Sequence, residues 1–193
     1  FNNLGSAMRE SSKLSEALQF FEKSIQIKSD YAEAYNNLGK TYLDLSNKKQ
    51  ALKSFQKALE IKPNYAEVYN SIGILFSDLS KFDESFSSYN KAIELSPNYE
   101  KPYNNLGNLL NNLGKFDEAT VAYKKAIKIK PNYAKAYSNL LFNLNYKIDF
   151  DINFYLQEAN NFRLGCKPSK NILPLKYQYG KNPKKLRIGI VSS

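Results

Sequence analysis

The sequence predicts an all-α fold in which pairs of antiparallel helices stack into a superhelical solenoid. Three observations predict it. A unit of 34 residues repeats, because the tetrapeptide that begins at Pro63 returns with one change at Pro97 and again unchanged at Pro131. Apolar residues within each unit recur at the spacing of one helix face. The proline that closes each unit cannot continue a helix interior, so it marks the boundary between units.

The first helix of each unit is predicted from four positions. In the second unit they are Tyr35, Leu38, Gly39 and Tyr42, at the spacing i, i+3, i+4, i+7 that defines one helical face. Glycine inside a helix costs about 1 kcal/mol relative to alanine, so its recurrence in register predicts a close approach of the partner helix. The corresponding residues elsewhere are Phe1, Leu4, Gly5 and Met8; Tyr69, Ile72, Gly73 and Phe76; and Tyr103, Leu106, Gly107 and Leu110.

The second helix of each unit carries small and aromatic residues on one face. They are Ala51, Phe55 and Ala58, then Ser85, Tyr89 and Ala92, then Ala119, Tyr123 and Ala126. We expect the small residue that opens each set to face the glycine of the first helix. In the connections between paired helices, the segment from Ser80 to Asp83 predicts a capping box and Gly114 predicts a helix end.

The fifth unit begins like the others and then departs from the pattern. Tyr137 and Leu140 follow it, but Leu141 stands where glycine is expected. We therefore predict about 4.5 repeats over residues 1–146, the first one truncated, and a transition or capping helix within 147–166. Four further prolines and glycines predict an irregular basic linker over 167–185. The apolar, β-branched residues 186–193 predict a short β-strand, the first of a truncated α/β domain.

Composition excludes several classes of function. The net charge is +10, but seven basic residues lie in 167–193, which contains no acidic residue, so the repeats themselves are nearly balanced. We interpret the tail as a solvated linker, and nucleic-acid binding is not expected. The sequence has no histidine, which excludes Ser–His and Cys–His catalysis and histidine-ligated metal sites within it. The single cysteine, Cys166, predicts no disulfide. No apolar stretch is long enough to span a membrane, and we expect a cytoplasmic location.

A polar stripe lies beside the core face of the first helices, on a different face of each helix. Asparagine offers both a hydrogen-bond donor and an acceptor, so a column of asparagines could bind the backbone of an extended peptide at regular intervals. The alternative is that the repeats copied a surface residue of their ancestor. The stripe consists of Asn2, Asn3 and Ser6; Asn36, Asn37 and Lys40; Asn70, Ser71 and Ile74; Asn104, Asn105 and Asn108; and Ser138 and Asn139.

The period and anchor pattern are the signature of tetratricopeptide repeats. The run from Tyr103 to Asn108 resembles the superhelix of the O-linked N-acetylglucosamine transferases and the related SPINDLY-type proteins. The segment from Tyr137 to Tyr146 looks like the last repeat of those proteins. The closing segment from Leu186 to Ser193 is similar to the first strand of their catalytic domain.

The resemblance implies a transferase that uses a nucleotide sugar, UDP-N-acetylglucosamine or GDP-fucose, and presents protein acceptors on the concave face of its repeats. The donor site and the catalytic residues are expected beyond Ser193, so we predict that residues 1–193 bind no cofactor or metal and are inactive alone. Asn3, Asn37, Asn105, Asn108 and Asn139 match the asparagine ladder that binds acceptor peptides in that family, and Asn2, Asn36, Asn70 and Asn104 lie beside it. Ser71 and Ile74 interrupt the ladder, and Lys40 and Phe142 replace further members.

Three functions follow from these observations. The first is the substrate-recognition arm of an O-linked sugar transferase, which would bind extended segments of proteins glycosylated on Ser or Thr. The second is a non-enzymatic adaptor that mediates protein–protein interactions through its tetratricopeptide repeats. The third, the weakest, is a repeat protein whose basic tail binds nucleic acid.

Overall fold

The computed structural model describes residues 1–146 and 152–165. These residues form ten α-helices and no β-strand. The predicted linker over 167–185 and the predicted strand over 186–193 lie outside them, as does Cys166. The helices are α1 (Asn2–Glu10), α2 (Leu14–Ile27), α3 (Ala32–Asp44), α4 (Lys48–Ile61), α5 (Ala66–Asp78), α6 (Phe82–Leu95), α7 (Glu100–Asn112), α8 (Phe116–Ile129), α9 (Ala134–Leu144) and α10 (Ile152–Gly165).

The helices pair in chain order, α1 with α2 and so on to α9 with α10, and each pair packs on the next. Consecutive first helices (α1, α3, α5, α7 and α9) also contact one another. The backbones of consecutive second helices do not approach one another as closely among the described residues, although Lys124 of α8 forms an ion pair of 3.3 Å with Glu158 of α10. The all-helical solenoid predicted from the 34-residue period is confirmed.

Within each of the first four pairs, a glycine of the first helix faces an aromatic ring of the second. A Cβ atom placed on Gly107 would lie 2.6 Å from Cε1 of Tyr123, closer than real Cβ atoms approach other atoms. The same contact recurs between Gly5 and Phe21, Gly39 and Phe55, and Gly73 and Tyr89. The predicted close approach is therefore confirmed, but the atoms that a Cβ would meet first belong to the ring.

The small residues that open the second helices are also buried against the pair. Ala51, Ser85 and Ala119 are each 0% exposed. The Ser85 hydroxyl donates a hydrogen bond of 2.8 Å to the carbonyl oxygen of Gly73, which joins the two helices directly. The sequence prediction thus identified the right helix face, and Ser85 contacts Gly73 as expected, but the atoms nearest an added Cβ belong to the ring four residues further along the helix.

The turn between paired helices uses a residue in the left-handed region of backbone space. That residue is Ser12, Ser46, Ser80 or Gly114, with φ between 57° and 73°. At the third turn the Lys81 amide donates to the carbonyl oxygen of Phe76, and the Ser80 amide donates to that of Ser77, both at 2.9 Å. This is a Schellman ending. Gly114 ends its helix as predicted, but the predicted capping box is wrong: Lys81 is the N-cap of α6, and its side chain makes no capping hydrogen bond.

Helix α10 takes the place of the second helix of a fifth repeat and lies within the range 147–166 predicted to contain one helix. The preceding second helices begin 34 residues apart, at Lys48, Phe82 and Phe116, whereas α10 begins at Ile152, two residues later than that spacing requires. Leu141 and Tyr155, each 3% exposed, share one core cluster. Leu141 fills the position that glycine leaves open in the other repeats, so α10 packs in a shifted register.

Candidate peptide-binding surface

The asparagines of the polar stripe form two rows with different environments. The first, here called the buried row, is 0–5% exposed and lies where neighbouring first helices meet. The second, here called the outer row, is partly or fully exposed. The buried row is Asn2, Asn36, Asn70 and Asn104, and the outer row is Asn3, Asn37, Asn105, Asn108 and Asn139.

Hydrogen bonds between the two rows bridge consecutive repeats. The side-chain nitrogen of Asn37 donates to the side-chain oxygen of Asn2 at 3.1 Å. Asn105 donates in the same way to Asn70 at 2.9 Å, and Asn139 donates to Asn104 at 2.9 Å. Each of these amide bridges satisfies a buried acceptor and ties one first helix to the next.

The last amide bridge extends into a small network. Asn139 also donates to the side-chain oxygen of Asn108 at 2.9 Å, and the Tyr123 hydroxyl donates to the same oxygen at 2.8 Å. Burial raises the pKa of the Tyr123 hydroxyl above its ordinary value, so the hydroxyl remains a neutral donor at physiological pH. Asn108 is therefore positioned by both helices of its repeat and by the following repeat.

One amide bridge is missing, at the joint between the second and third repeats. Ser71 stands where an outer-row asparagine is expected, and its hydroxyl donates to the Glu67 carbonyl oxygen of its own helix at 3.0 Å. The side-chain oxygen of Asn36, which is 1% exposed, has no hydrogen-bond partner. No other buried side-chain nitrogen or oxygen of the described residues lacks one. The contact between α4 and α5 at this joint is also smaller than the equivalent contacts at the other joints.

The residue at the second position of each first helix changes from acidic to basic along the stack. Glu33 accepts a hydrogen bond of 2.9 Å from the side-chain nitrogen of Asn2, and Glu67 accepts one of 3.5 Å from Asn36. In the fourth and fifth repeats the equivalent residues are Lys101 and Lys135. The acidic side of the stripe therefore becomes basic at the fourth repeat.

A cavity of about 380 Å³ lies over the joint that lacks an amide bridge. Lys40 at its edge is half-buried, and its Nζ lies 3.7 Å from the Glu67 carboxylate. Burial lowers the pKa of Lys40 and the charges of Arg9 and Lys101 lower it further, against the opposing effect of Glu67. The cavity is lined by Arg9, Lys40, Leu43, Asp44, Asn70, Ser71, Ile74, Asp78, Tyr99 and Lys101.

The structure shows a second polar group that the sequence reasoning missed. Asn143 is 0% exposed and donates 2.8 Å hydrogen bonds to the Phe116 carbonyl oxygen and the Thr120 hydroxyl. It accepts one of 2.7 Å from the side chain of Asn111. The signal was present in the repeat alignment, since asparagine here replaces the buried leucine of the third and fourth repeats. These hydrogen bonds connect α9, the first helix of the fifth repeat, to α8.

The predicted site residues therefore separate into two groups. The buried row cannot reach a peptide in this arrangement, and its hydrogen bonds support the stack. The outer row remains accessible, and its binding of a peptide stays a prediction. Phe142, which replaces an outer-row position in the fifth repeat, is 57% exposed and meets the ring of Tyr146 edge-on at 5.1 Å.

Residues 1–146 and 152–165 contain neither a metal-binding cluster nor a membrane-spanning helix. No group of three or more Asp, Glu, Cys or His side chains there could hold a metal ion. No helix in the same part of the chain has the length and apolar character needed to cross a membrane.

Comparison with known proteins identifies the repeats. A model for the tetratricopeptide repeat matches residues 32–65 and 101–133, and a second model for the same kind of repeat matches 5–46 and 75–114. No curated protein sequence matches the chain. Together the two repeat models cover more than half of it.

Several solved structures share the fold. Crystal structures of MamA include one with a TM-score of 0.64 and 23% identity, covering 86% of this chain and 95% of that one. PilF of Pseudomonas aeruginosa has a TM-score of 0.75 at 19% identity, covering 85% and 74%. YrrB, described as a tetratricopeptide protein with an unusual peptide-binding site, has a TM-score of 0.59 at 23% identity, covering 86% and 85%. At these identities the likeness extends to the fold alone.

Proposed function

The chain belongs to the tetratricopeptide repeat family, and we propose that it binds partner proteins through an extended peptide segment laid along its first helices. Stacked helical pairs present a continuous surface that suits such a segment. The backbones of consecutive first helices approach one another more closely than those of the described second helices, which favours a bend with the first helices on the concave side. YrrB, with its peptide-binding site, is a precedent on the same fold.

The outer row of asparagines is the observation that carries this proposal. The side-chain nitrogens of Asn37 and Asn139 are engaged by the neighbouring repeat. Their side-chain oxygens contact no donor among the described residues, and both side chains are partly exposed. Packed helices lie about 8–10 Å apart and an extended chain advances about 3.3–3.6 Å per residue, so adjacent first helices would meet about every third peptide residue. Such contacts bind the peptide backbone, so they discriminate little between peptides with different side chains.

Within this function, we propose the substrate-recognition arm of an O-linked sugar transferase. The support is the resemblance of the repeats and of residues 186–193 to that family. A backbone-reading surface also suits an enzyme that modifies Ser or Thr in many different proteins. A nucleotide sugar, UDP-N-acetylglucosamine or GDP-fucose, would be the donor of the whole enzyme. The alternative is a non-enzymatic adaptor, for which the same fold and surface would serve.

The central test measures peptide binding by fluorescence polarisation at two salt concentrations. A ladder variant combines Asn37→Ala, Asn105→Ala, Asn108→Ala and Asn139→Ala. A matched control on the second helices combines Lys57→Ala, Lys91→Ala and Lys125→Ala. Each amide–backbone hydrogen bond contributes about 0.5–1.5 kcal/mol, so the ladder variant should lose binding by several kcal/mol at most. Loss in the control set, or binding abolished by salt, would contradict the proposal.

Asn3→Ala supplies a cleaner single change. The ladder alanines also remove amide bridges between repeats, so circular dichroism must show that the variant is folded. Asn3 is exposed and makes no hydrogen bond to any other described residue, so its replacement should leave stability unchanged. A weaker affinity in this variant at unchanged melting temperature can only come from a lost peptide contact.

Peptide arrays distinguish the transferase arm from the adaptor. The arm should bind many extended peptides that contain Ser or Thr, with little loss when single side chains are changed. An adaptor should select one motif and lose binding when that motif is altered, because its specificity depends on side-chain pockets.

A further inference from the structure

We propose that the joint between the second and third repeats is a hinge, at which the stack opens on the side of the first helices. The first two repeats turn as one block and the later repeats as another, while the other three joints stay closed. Opening changes the distance between Asn37 and Asn105, the outer-row asparagines on either side of the hinge. Such a motion belongs to the stack itself and goes beyond the proposed peptide binding.

The side that opens lacks the bond that closes the other joints. Three joints are each closed by an amide bridge of 2.9–3.1 Å between consecutive first helices. At this joint the Ser71 hydroxyl donates to its own helix, so opening breaks no amide bridge. The side-chain oxygen of Asn36 is buried without a partner, and separation of α3 from α5 lets water donate to it. The hydrogen bond gained with water favours the open state at this joint.

The polar contact between the first helices at this joint is also weaker than at the joint before it. The Glu67 carboxylate of α5 lies 3.5 Å from the side-chain nitrogen of Asn36 on α3. At the preceding joint, Nε of Arg9 on α1 lies 2.6 Å from the Asp44 carboxylate of α3. Charge-assisted hydrogen bonds are typically 2.7–2.9 Å long, so the contact at Glu67 contributes less to holding its joint closed.

Space for the motion is present on the same side. A cavity of about 380 Å³ lies over the joint, between Lys40 and Leu43 of α3 and Ser71 and Ile74 of α5. Nζ of Lys40 lies 3.7 Å from the Glu67 carboxylate across it. The contact between α4 and α5 is smaller than the equivalent contacts at the other joints. Because less surface is packed there, less packing is lost when the two blocks turn.

The apolar core of the joint supplies the axis of the turn. Phe55 of α4 shares one core cluster with Val68 and Leu75 of α5, and each of the three is 0% exposed. Nζ of Lys48 on α4 donates a hydrogen bond of 2.6 Å to the carbonyl oxygen of Asp78 at the end of α5. These contacts join α4 to α5 and do not involve α3, so they persist while α3 and α5 separate.

The test measures distances between two spin labels in the full chain by double electron–electron resonance. A Cys166→Ser background leaves only the introduced cysteines to be labelled. The hinge pair, Gln19→Cys with Ser87→Cys, spans the proposed hinge and the joint before it. The control pair, Ser87→Cys with Gln157→Cys, spans the two joints that follow. All three labelled positions are exposed.

We expect two distances for the hinge pair, from closed and open conformers, and one for the control pair. Ser71→Asn restores the amide bridge to Asn36, so it should lower the ratio of open to closed conformers about twofold to tenfold, the effect of one net hydrogen bond. Asn36→Ala added to Ser71→Asn should abolish that reduction, because the acceptor is gone. Asn105→Ser removes the amide bridge at the following joint, so it should give the control pair a second distance.

A single distance of equal width in both pairs overturns the inference. So does a ratio that Ser71→Asn leaves unchanged in a variant that circular dichroism shows to be folded. A control pair that keeps one distance after Asn105→Ser overturns it as well, because the amide bridge would then not be what closes a joint.

Discussion

The contact within a repeat and the contact between repeats are built differently. Within four successive pairs, a glycine packs directly against an aromatic ring, and a Cβ added to the glycine would lie only 2.5–2.7 Å from the nearest ring carbon. Between repeats, amide bridges join the first helices at three joints, and the joint at Ser71 has none. Close-packed helices leave no space for a side chain at the glycine, so this contact must be the same in each of the four pairs. A hydrogen bond between repeats can be absent at one joint while the helices still stack.

The omission has a cost that the other joints avoid. A buried acceptor without a partner destabilises the folded state by about 1–3 kcal/mol. At Asn36 that cost coincides with the cavity and with the change of charge between Glu67 and Lys101. The joint between the second and third repeats is therefore less stabilised than the others, and it is also the joint with an open cavity at its surface.

The largest effect is expected within a repeat. Gly107→Val should lower the free energy of unfolding by about 1–3 kcal/mol, because the new side chain must displace the buried Tyr123 ring. Gly39→Val should cost a similar amount, since Phe55 lies equally close. Thermal melting followed by circular dichroism measures both. Lys115→Val, at an exposed position, is the control, and an equal fall in its melting temperature would show that the glycine contact is not what matters.

The next effect contrasts two buried asparagines. Asn104→Ala removes the acceptor for Asn139 and should destabilise the protein by about 1–2 kcal/mol. Asn36→Ala removes an oxygen that has no partner, a weak 3.5 Å contact to Glu67 and a side-chain hydrogen bond to Tyr65, so its effect should be smaller than that of Asn104→Ala. Urea denaturation of the two variants, side by side, measures the difference. Equal losses would mean that the joints are equivalent.

Restoring the missing amide bridge should stabilise the protein. Ser71→Asn places a donor beside the unpaired Asn36 oxygen and should raise the free energy of unfolding by about 0.5–1.5 kcal/mol. The cavity beside Ser71 provides space for the larger side chain. In an Asn36→Ala background the gain should vanish, because the acceptor is gone. A gain of the same size in both backgrounds would indicate cavity filling instead.

The smallest effect concerns the turns within repeats. Ser80 adopts φ of 57°, which glycine adopts without strain, so Ser80→Gly should raise stability by up to about 1 kcal/mol. The reverse change at the equivalent position, Gly114→Ser, should lower it by a similar amount, since φ there is 73° and no atom lies within 4 Å of an added Cβ. Opposite shifts in melting temperature are the expected readout. The reversed pattern, with Ser80→Gly lowering and Gly114→Ser raising the melting temperature, would place the effect in the unfolded chain.

Much of the candidate surface could be anticipated from residue spacing. The stripe was recognisable because polar residues recur beside the core anchors of every first helix. Its division into two rows was not, because neighbouring residues on a helix point about 100° apart and the sequence does not say which one faces the next repeat. The angle between adjacent repeats decides that, and it places Asn36 inside the stack and Asn37 at its edge.

The sequence by itself determined the period, the pairing of helices, the need for glycine where the paired helices approach closely, and the point at which the array departs from its pattern. Each of these follows from contacts between residues close in the chain. The tertiary structure alone decided that Tyr123 and its equivalents fill the glycine gaps, that α10 packs two residues out of register, and that Asn36 lacks a partner. These depend on how one helix projects side chains onto another, which the spacing within a single helix does not contain.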